Sequence, residues 1–370
     1  MANTEVPPAV IPPQTGPSAP QTITILQADG LYPDDEYELQ AFAPRPNQNY
    51  TVNYIKGNLW VPGEAFPKSW TTIPKEIRDQ VDGIMDLKLK FTADDLALFP
   101  KLKVFVRMGV GYDMVDRVAC EKQGVIVCNV PDYGTSEIAD HALGLILSFR
   151  RGILLHHDRQ RANPPARWQY VNCPLVARLQ QATFGIVGLG RIGTAAALRA
   201  KAFGFHVLFY DPYVPNGTDK SLLIERTRDI KELFRRANVL SLHCNLTSET
   251  RGLVNYDLLK LLPQGAVMVN TSRGPVVELD GVERCLKEGN LAGAGLDVLP
   301  QEPIDEDNVH PLIQAYRRKE DWLEGRMVIT CHSAFYSPES FVDIRTKSVE
   351  TLRDVLIDGL KSNIITPDME

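Results

Sequence analysis

Three observations predict an α/β protein of two domains, each built on a parallel sheet. Short apolar runs alternate with helix-like stretches along most of the chain, the pattern left by strands joined through crossover helices. The alternation falls into two series, one before and one after about Thr183. At 370 residues the chain also exceeds what one ordinary core fills.

Charge and composition narrow the partners. A formal net charge of -6 argues against nucleic acid or an anionic membrane surface as the main partner. No apolar run reaches membrane-spanning length, and no basic region followed by an apolar stretch opens the chain. A cytoplasmic setting is expected, with a nuclear one also open. The six cysteines (Cys120, Cys128, Cys173, Cys244, Cys285, Cys331) are scattered without paired spacing. That suits buried reduced thiols better than disulfides or a zinc site, and no metal is expected.

Residues 1–21 are rich in proline, lack a hydrophobic period and read as a tail outside the fold. TITILQAD, VDGIMDLKL, KVFVRM and VIVCNV read as strands, with TADDLALF and DMVDRVACEKQG as helices among them. Ala41 to Ile77, with five prolines, two tryptophans and two tyrosines, is predicted to be a loop-rich insertion. SEIADHALGLILSFRRGILLHH is the longest helical segment, with Ser136 as its N-cap and Glu137 in its first turn. Six strand candidates follow: FGIVGL, HVLFYD, VLSLHC, AVMVNT, GAGLDVL and MVITCH. Six strands with crossover helices match a dinucleotide-binding sheet. SPESFVDIRTKSVETLRDVLIDGL reads as a last helix returning to the first domain.

FGIVGLGRIG places Gly188, Gly190 and Gly193 in GxGxxG spacing. Alone this is a weak signal, but here a strand precedes it and an alanine-rich helix follows. Gly188 would allow the tight turn, Gly190 the approach of a pyrophosphate and Gly193 close helix–strand packing. Amide groups at the helix start then face the phosphate charge. Asp211 follows Gly193 by 18 positions and ends the next strand, where a carboxylate can accept from the adenosine ribose hydroxyls. It would repel a 2'-phosphate, and Pro212 and Tyr213 supply no offsetting cation. NAD (NADH) is therefore favoured over NADP.

Arg273, Glu302 and His332 each follow a strand of the second series, in VNTSRGPVVE, GLDVLPQEP and ITCHSAFYS. Open α/β sheets bind ligands at that carboxyl edge. Singly, each residue has an ordinary structural explanation. Three such groups on one edge beside an expected nicotinamide favour chemistry.

The order GxGxxG, an Asp ending the second strand, NTSRG, DVLPQEP and TCH resembles the D-isomer-specific 2-hydroxyacid dehydrogenase family. RMGVGYDMVD and NVPDYGTSEIADHALGL resemble that family's substrate-domain motifs. The similarity runs from about residue 80 to about residue 350, and the nearest branch is the one containing the C-terminal-binding-protein corepressors. The resemblance implies a Rossmann NAD-binding domain, residues 131–335, inserted into a flavodoxin-like substrate-binding domain made of 22–130 and 336–370.

By position, the resemblance implies that Arg273 binds the substrate carboxylate, a task suited to a planar guanidinium with paired donors. It implies that His332 is the general acid in ketone reduction and the base in the reverse direction. Glu302 is its implied partner, a carboxylate whose charge favours the imidazolium. Met108, Gly109, Val110 and Gly111 match the backbone cradle for the substrate carboxylate. Gly188, Gly190, Arg191, Ile192, Gly193, Asp211, Thr135 and Asp297 match cofactor-contacting positions. Phe335 stands where the corepressor branch has tryptophan, and a phenyl ring there suggests room for an apolar keto-acid side chain. A homodimer built around the helix starting near Ser136 is implied as well, although its run ALGLILSF could equally be buried within one subunit.

The expected activity is NAD(H)-dependent interconversion of 2-keto acids and D-2-hydroxy acids. The alternative is an NAD(H)-sensing, corepressor-like scaffold with weak or no metabolic activity; the altered 41–77 stretch leans against it. Glu302 argues against formate, because the formate branch carries glutamine there and releases hydride without proton transfer. Cys331 stands where the family usually has proline. Thirty residues separate Glu302 from His332, a longer gap than usual; residues 304–326 within it read as a charged surface helix with one buried face.

Overall fold

Every ladder between strands is parallel, and the strands fall into two sheets. The computed structural model describes residues 21–46 and 48–368. The proline-rich stretch therefore lies outside the described residues except for Gln21, which already opens the first strand.

The first sheet holds β1 (Gln21–Gln27), β2 (Tyr50–Lys56), β3 (Gly83–Asp86), β4 (Val104–Arg107) and β5 (Ile126–Asn129), in the order β2-β1-β3-β4-β5. This is the flavodoxin-like doubly wound order. The second holds β6 (Thr183–Val187), β7 (His206–Tyr210), β8 (Glu225–Arg226), β9 (Val239–Leu242), β10 (Ala266–Asn270), β11 (Leu291–Leu296) and β12 (Met327–Ile329). Its order is β12-β11-β10-β9-β6-β7-β8. That is the Rossmann order with one further strand, and its direction of winding reverses between β6 and β9. β9, β10 and β11 are buried along their whole length, because helices cover both faces of the sheet.

Two helices connect the sheets. Thr135–Arg150 leaves the first sheet and packs on the Arg191–Ala202 helix and on β10 and β11. Its run ALGLILSF is mostly buried inside this one chain. Pro338–Leu356 returns to lie against the Glu36–Phe42 helix and β3, β4 and β5. There Arg345 and Glu38, both buried, pair at 2.7 Å. The chain end closes the first sheet, with an antiparallel bridge between Ile364 and Cys128. No described helix is long and apolar enough to cross a membrane.

Three expectations need correction. The 41–77 stretch is not an unstructured insertion: it carries β2, a short turn of helix at Trp70–Thr72 and the Lys75–Arg78 helix. Ser136 is not the N-cap. Gly134 takes that place, and the helix begins at Thr135. The helix also ends at Arg150, because Gly152 adopts a left-handed φ of 61° before a second helix, Ile153–Arg161. Residues 304–326 do carry a surface helix, Pro311–Arg317, and its expected buried face is Leu312, Ile313 and Ala315, which with Leu323 join the core of the second sheet.

Candidate active site

A cleft of about 570 Å³ opens between the carboxyl edges of the two sheets. Arg273, Glu302 and His332, which follow β10, β11 and β12, line it together. Val110, Gly111, Ile192, Asp297 and Phe335 line it too.

The histidine is held by its own strand end. His332 has a left-handed φ of 52°, uncommon outside glycine and usually tolerated where the surroundings hold it. Its amide donates to the Asp297 carbonyl at 2.8 Å. The Asp297 carboxylate, only 2% exposed, accepts from the amides of Ser333 and Ala334 and from the Thr330 hydroxyl. Asp297 thus shapes the turn that presents the imidazole, besides reaching the cleft as expected. His332 Nδ1 stands 2.6 Å from Glu302 Oε2. A carboxylate only accepts there, so Nδ1 carries the proton and Nε2 is the remaining ring nitrogen. Glu302 Oε1 accepts from the Leu299 amide at 2.6 Å, which fixes the carboxylate's orientation. The long gap between the two residues therefore does not separate them.

Arg273 bridges the sheets. Its Nε donates to Asp113 Oδ1 at 2.9 Å, and Asp113 belongs to the loop after β4. Burial alone would push Asp113 up. The charge of Arg273 and its hydrogen bond outweigh burial and hold the carboxyl below its usual range. Asn270, fully buried at the end of β10, accepts from the Ser272 amide and hydroxyl and donates to the Arg273 carbonyl. That is what the NTSRG turn does.

The substrate loop is tighter than expected. A Cβ at Gly111 would lie 1.5 Å from Arg273 Nη2, and one at Gly109, where φ is 156°, would lie 1.6 Å from Arg107 Nη1. The glycines make room for two guanidinium groups. Met108 and Gly109 do not serve as cradle donors, because their amides already donate to the carbonyls of Asp86 and Arg107. The Met108 side chain is wholly buried. Of the four residues 108–111, Val110 and Gly111 are the ones that line the cleft.

In the glycine turn after β6, the fold itself requires Gly188 and Gly193. Gly188 has φ 89°, and a Cβ there would lie 2.6 Å from the Cys244 amide. At Gly193 a Cβ would lie 2.1 Å from the Gly188 carbonyl oxygen. A Cβ at Gly190 would meet no protein atom within 4 Å, so its smallness serves something other than the fold. It begins the Arg191–Ala202 helix without a side-chain cap, leaving amides for an anion. Arg191 is exposed. The Asp211 carboxylate accepts from the amides of Leu189, in this turn, and Tyr213 at 2.7 and 2.8 Å. Thr135 Oγ1, at the start of the other helix, is buried without a hydrogen-bond partner. An open cradle, free amides and an orphaned buried hydroxyl fit a dinucleotide.

Residues that the sequence alone did not single out also line the cleft. Lys88, Arg107 and Asp113 come from the first sheet. His243 lines it from the second, with Nε2 2.8 Å from Ser241 Oγ. Burial pushes His243 down to about 4, so it stays neutral. Among the described residues, one trio, Asp280, Glu283 and His310, could share a cation. His310 Nδ1 accepts from the Leu312 amide and Nε2 faces Asp280 at 3.0 Å. A ring using one lone pair on an amide must keep its proton on the other nitrogen, which disfavours ligation.

A Rossmann sheet with this glycine turn, coupled to a flavodoxin-like sheet across a cleft, defines a two-domain dinucleotide-binding protein. Residues 143–334 match the family model described as D-isomer specific 2-hydroxyacid dehydrogenase, NAD binding domain, and the chain belongs to that family. C-terminal-binding protein 1 of Caenorhabditis elegans is 34% identical over 285 residues, covering 76% of this chain and 38% of that protein. A D-3-phosphoglycerate dehydrogenase of Methanocaldococcus jannaschii is 33% identical over 276 residues, covering 75% of this chain and 50% of its own length. The chain thus spans half or less of these relatives. Among solved structures, an NADPH-dependent glyoxylate/hydroxypyruvate reductase of Sinorhizobium meliloti, in complex with NADP and malonate, superimposes with a TM-score of 0.74 at 26% identity. That match covers 93% of this chain and 96% of the other. The cofactor of the matched domain is NAD.

Proposed function

We propose that the chain is an NAD(H)-dependent oxidoreductase interconverting 2-keto acids and D-2-hydroxy acids, with His332 as general acid and base. One observation carries this: His332 Nδ1 meets Glu302 Oε2 at 2.6 Å on the wall of a cleft that Arg273 and Gly111 share. In reduction, Arg273 and the amides of Val110 and Gly111 hold the substrate carboxylate. His332 gives its proton to the ketone oxygen as the new C–H bond forms, and Glu302, hydrogen-bonded to Nδ1, holds the ring in place. The bound nicotinamide supplies the hydride. Gly188, Gly190, Gly193 and Thr135 would hold the pyrophosphate, and Asp211 the ribose hydroxyls. Residues 22–130 with 336–370 act as the substrate domain and 131–335 as the NAD-binding domain, and their closure excludes water. The working form is a homodimer.

The test is NADH oxidation, read by near-ultraviolet absorbance, against a panel of 2-keto acids. The His332→Gln variant is expected to bind NADH normally and to lose reduction by about two to four orders of magnitude. Full activity in that variant would remove His332 from the reaction. The 34% identity to C-terminal-binding protein 1 favours a second reading, a nucleotide-sensing scaffold. NADH binding without turnover of any 2-keto acid would select it.

A further inference from the structure

Two cations in the cleft have no part in the reaction just described. Lys88 belongs to the loop after β3 and Arg107 ends β4, and both line the cleft. Arg273 is matched by Asp113 and His332 by Glu302. Among the described residues, Lys88 and Arg107 form no ion pair. Arg107 Nη1 donates to the Met108 carbonyl at 2.9 Å, and the Lys88 ammonium lies 5.6 Å from the centroid of the Phe335 ring.

Their surroundings leave the excess charge standing. Burial, then repulsion from Arg107, holds Lys88 below the usual lysine range, although Glu302 and Asp29 pull the other way. Burial and the charge of Arg273 lower Arg107 likewise. Beneath them lie Asp29 and Asp86, both fully buried. Their carboxylates accept from the amides of Leu87 and Leu89, not from the cations. Burial pushes Asp29 up to about 6, and burial with the charge of Asp29 pushes Asp86 up as well. With Asp86 pushed up beside Asp29, the pair supplies at most one negative charge near neutral pH, short of neutralising two cations.

Half-desolvated cations without an ion-pair partner cost free energy, and they cluster where a ligand supplies the missing charge. Arg273 and the Gly111 loop already provide for one keto-acid carboxylate. We infer that Lys88 and Arg107 form a second anion subsite, so that the preferred substrate is a 2-keto acid with a further carboxylate or phosphate remote from the keto group. This rests on the dehydrogenase reading of the cleft. Phe335 lies between Lys88 and His332, its centroid 6.2 Å from that of the imidazole in an edge-to-face contact. It acts as the spacer between reacting carbonyl and distal anion, not as the wall of an apolar pocket.

The test compares NADH-dependent reduction of 2-oxoglutarate, 2-oxo-4-phosphonobutanoate and 2-oxohexanoate. The protein should prefer one of the dianionic compounds over 2-oxohexanoate by about 10- to 100-fold in kcat/KM, mostly through KM, as expected for hydrogen bonds to charged groups. Which of the two wins decides between carboxylate and phosphate. Lys88→Met should cut that ratio at least tenfold, and Lys88→Arg should keep it. A wild-type preference for 2-oxohexanoate, or a ratio unmoved by Lys88→Met, overturns the inference. If neither these three nor any other compound of the 2-keto-acid panel is reduced, the dehydrogenase reading fails on its own. The subsite is then judged by quenching of bound NADH fluorescence: tighter binding of a dianion supports it, and equal binding overturns it.

Discussion

Gly111 owes its identity to a neighbour. With a Cβ placed 1.5 Å from Arg273 Nη2, Gly111→Ala must displace the guanidinium while leaving the two sheet cores alone. Misplacing a substrate-holding group by about 1 Å can cost about a hundredfold in rate. The variant should therefore lose between ten- and a hundredfold in kcat/KM for 2-keto acids, with NADH affinity retained; unchanged kinetics would show that Arg273 does not hold substrate. Glu302→Gln keeps the shape of the partner to His332 and removes its charge. It should lower kcat by about one order of magnitude, less than loss of the imidazole itself. Asp29 makes a separate prediction about stability. Its carboxyl is raised from 3.8 to about 6 in the fold, so between about pH 4 and pH 6 the native state keeps a proton that the unfolded chain has lost. Stability contributed here is fully present below pH 4, falls as pH rises through 6 and is constant above it. Asp29→Asn removes this dependence and should raise stability at pH 8 relative to pH 5 by about 1.4 kcal/mol, the part of the shift that lies above pH 5. Urea unfolding of both proteins at the two pH values measures it.

At the scale of elements, what could be read in advance follows burial. β9, β10 and β11, covered on both faces, appear in the sequence as unbroken apolar runs, and the glycine turn stands out against them. β2 and β8 are edge strands. β2 mixes exposed Thr51 and Asn53 with half-buried neighbours amid prolines, and β8 is two half-buried residues, Glu225 and Arg226, so neither carries an apolar signature. The catalytic candidates were legible because each ends such a run. Lys88 and Arg107 were not, since their meaning comes from facing the other sheet across the cleft, a juxtaposition that local pattern does not encode. The glycine turn gives the test at this scale. In Gly193→Ala the new methyl would lie 2.1 Å from the Gly188 carbonyl oxygen, forcing the Arg191–Ala202 helix away from β6. NADH affinity should fall at least tenfold, and Tm should drop by about 5 °C, in line with overpacking of a close contact. Wild-type NADH affinity in this variant would mean that the helix start does not bind the pyrophosphate.

For the whole molecule, the remaining question is what covers the surface beyond the cleft. The Thr135–Arg150 helix, the expected dimer centre, packs its run ALGLILSF mostly on its own sheet, so a subunit contact would need further apolar residues. The segment that follows supplies them. Trp168 is 94% exposed and Tyr170 79%, with Ile153 also exposed, a concentration of large apolar side chains that an isolated chain gains nothing by leaving in water. Beside it, at the amino edge of the second sheet, lies a groove of about 760 Å³ lined by Arg150, Arg159, Arg178 and Arg326 as well as Leu155, Val171 and Leu175. It carries none of the residues proposed for catalysis. Arg150 and Arg326 donate to backbone carbonyls and Arg159 pairs with Glu324, so it is the apolar floor that suits the aromatic anchors of another protein surface, and a second copy of this chain offers such anchors. The protein should therefore sediment as a dimer at micromolar concentration. Replacing Trp168 and Tyr170 together by serine should shift it to monomer, since buried aromatic anchors each contribute about 2 kcal/mol or more to such interfaces. Both residues lie far from the catalytic set in sequence and outside the cleft lining, so NADH binding should survive the change. A double variant that still sediments as a dimer would place the subunit contact elsewhere on the molecule.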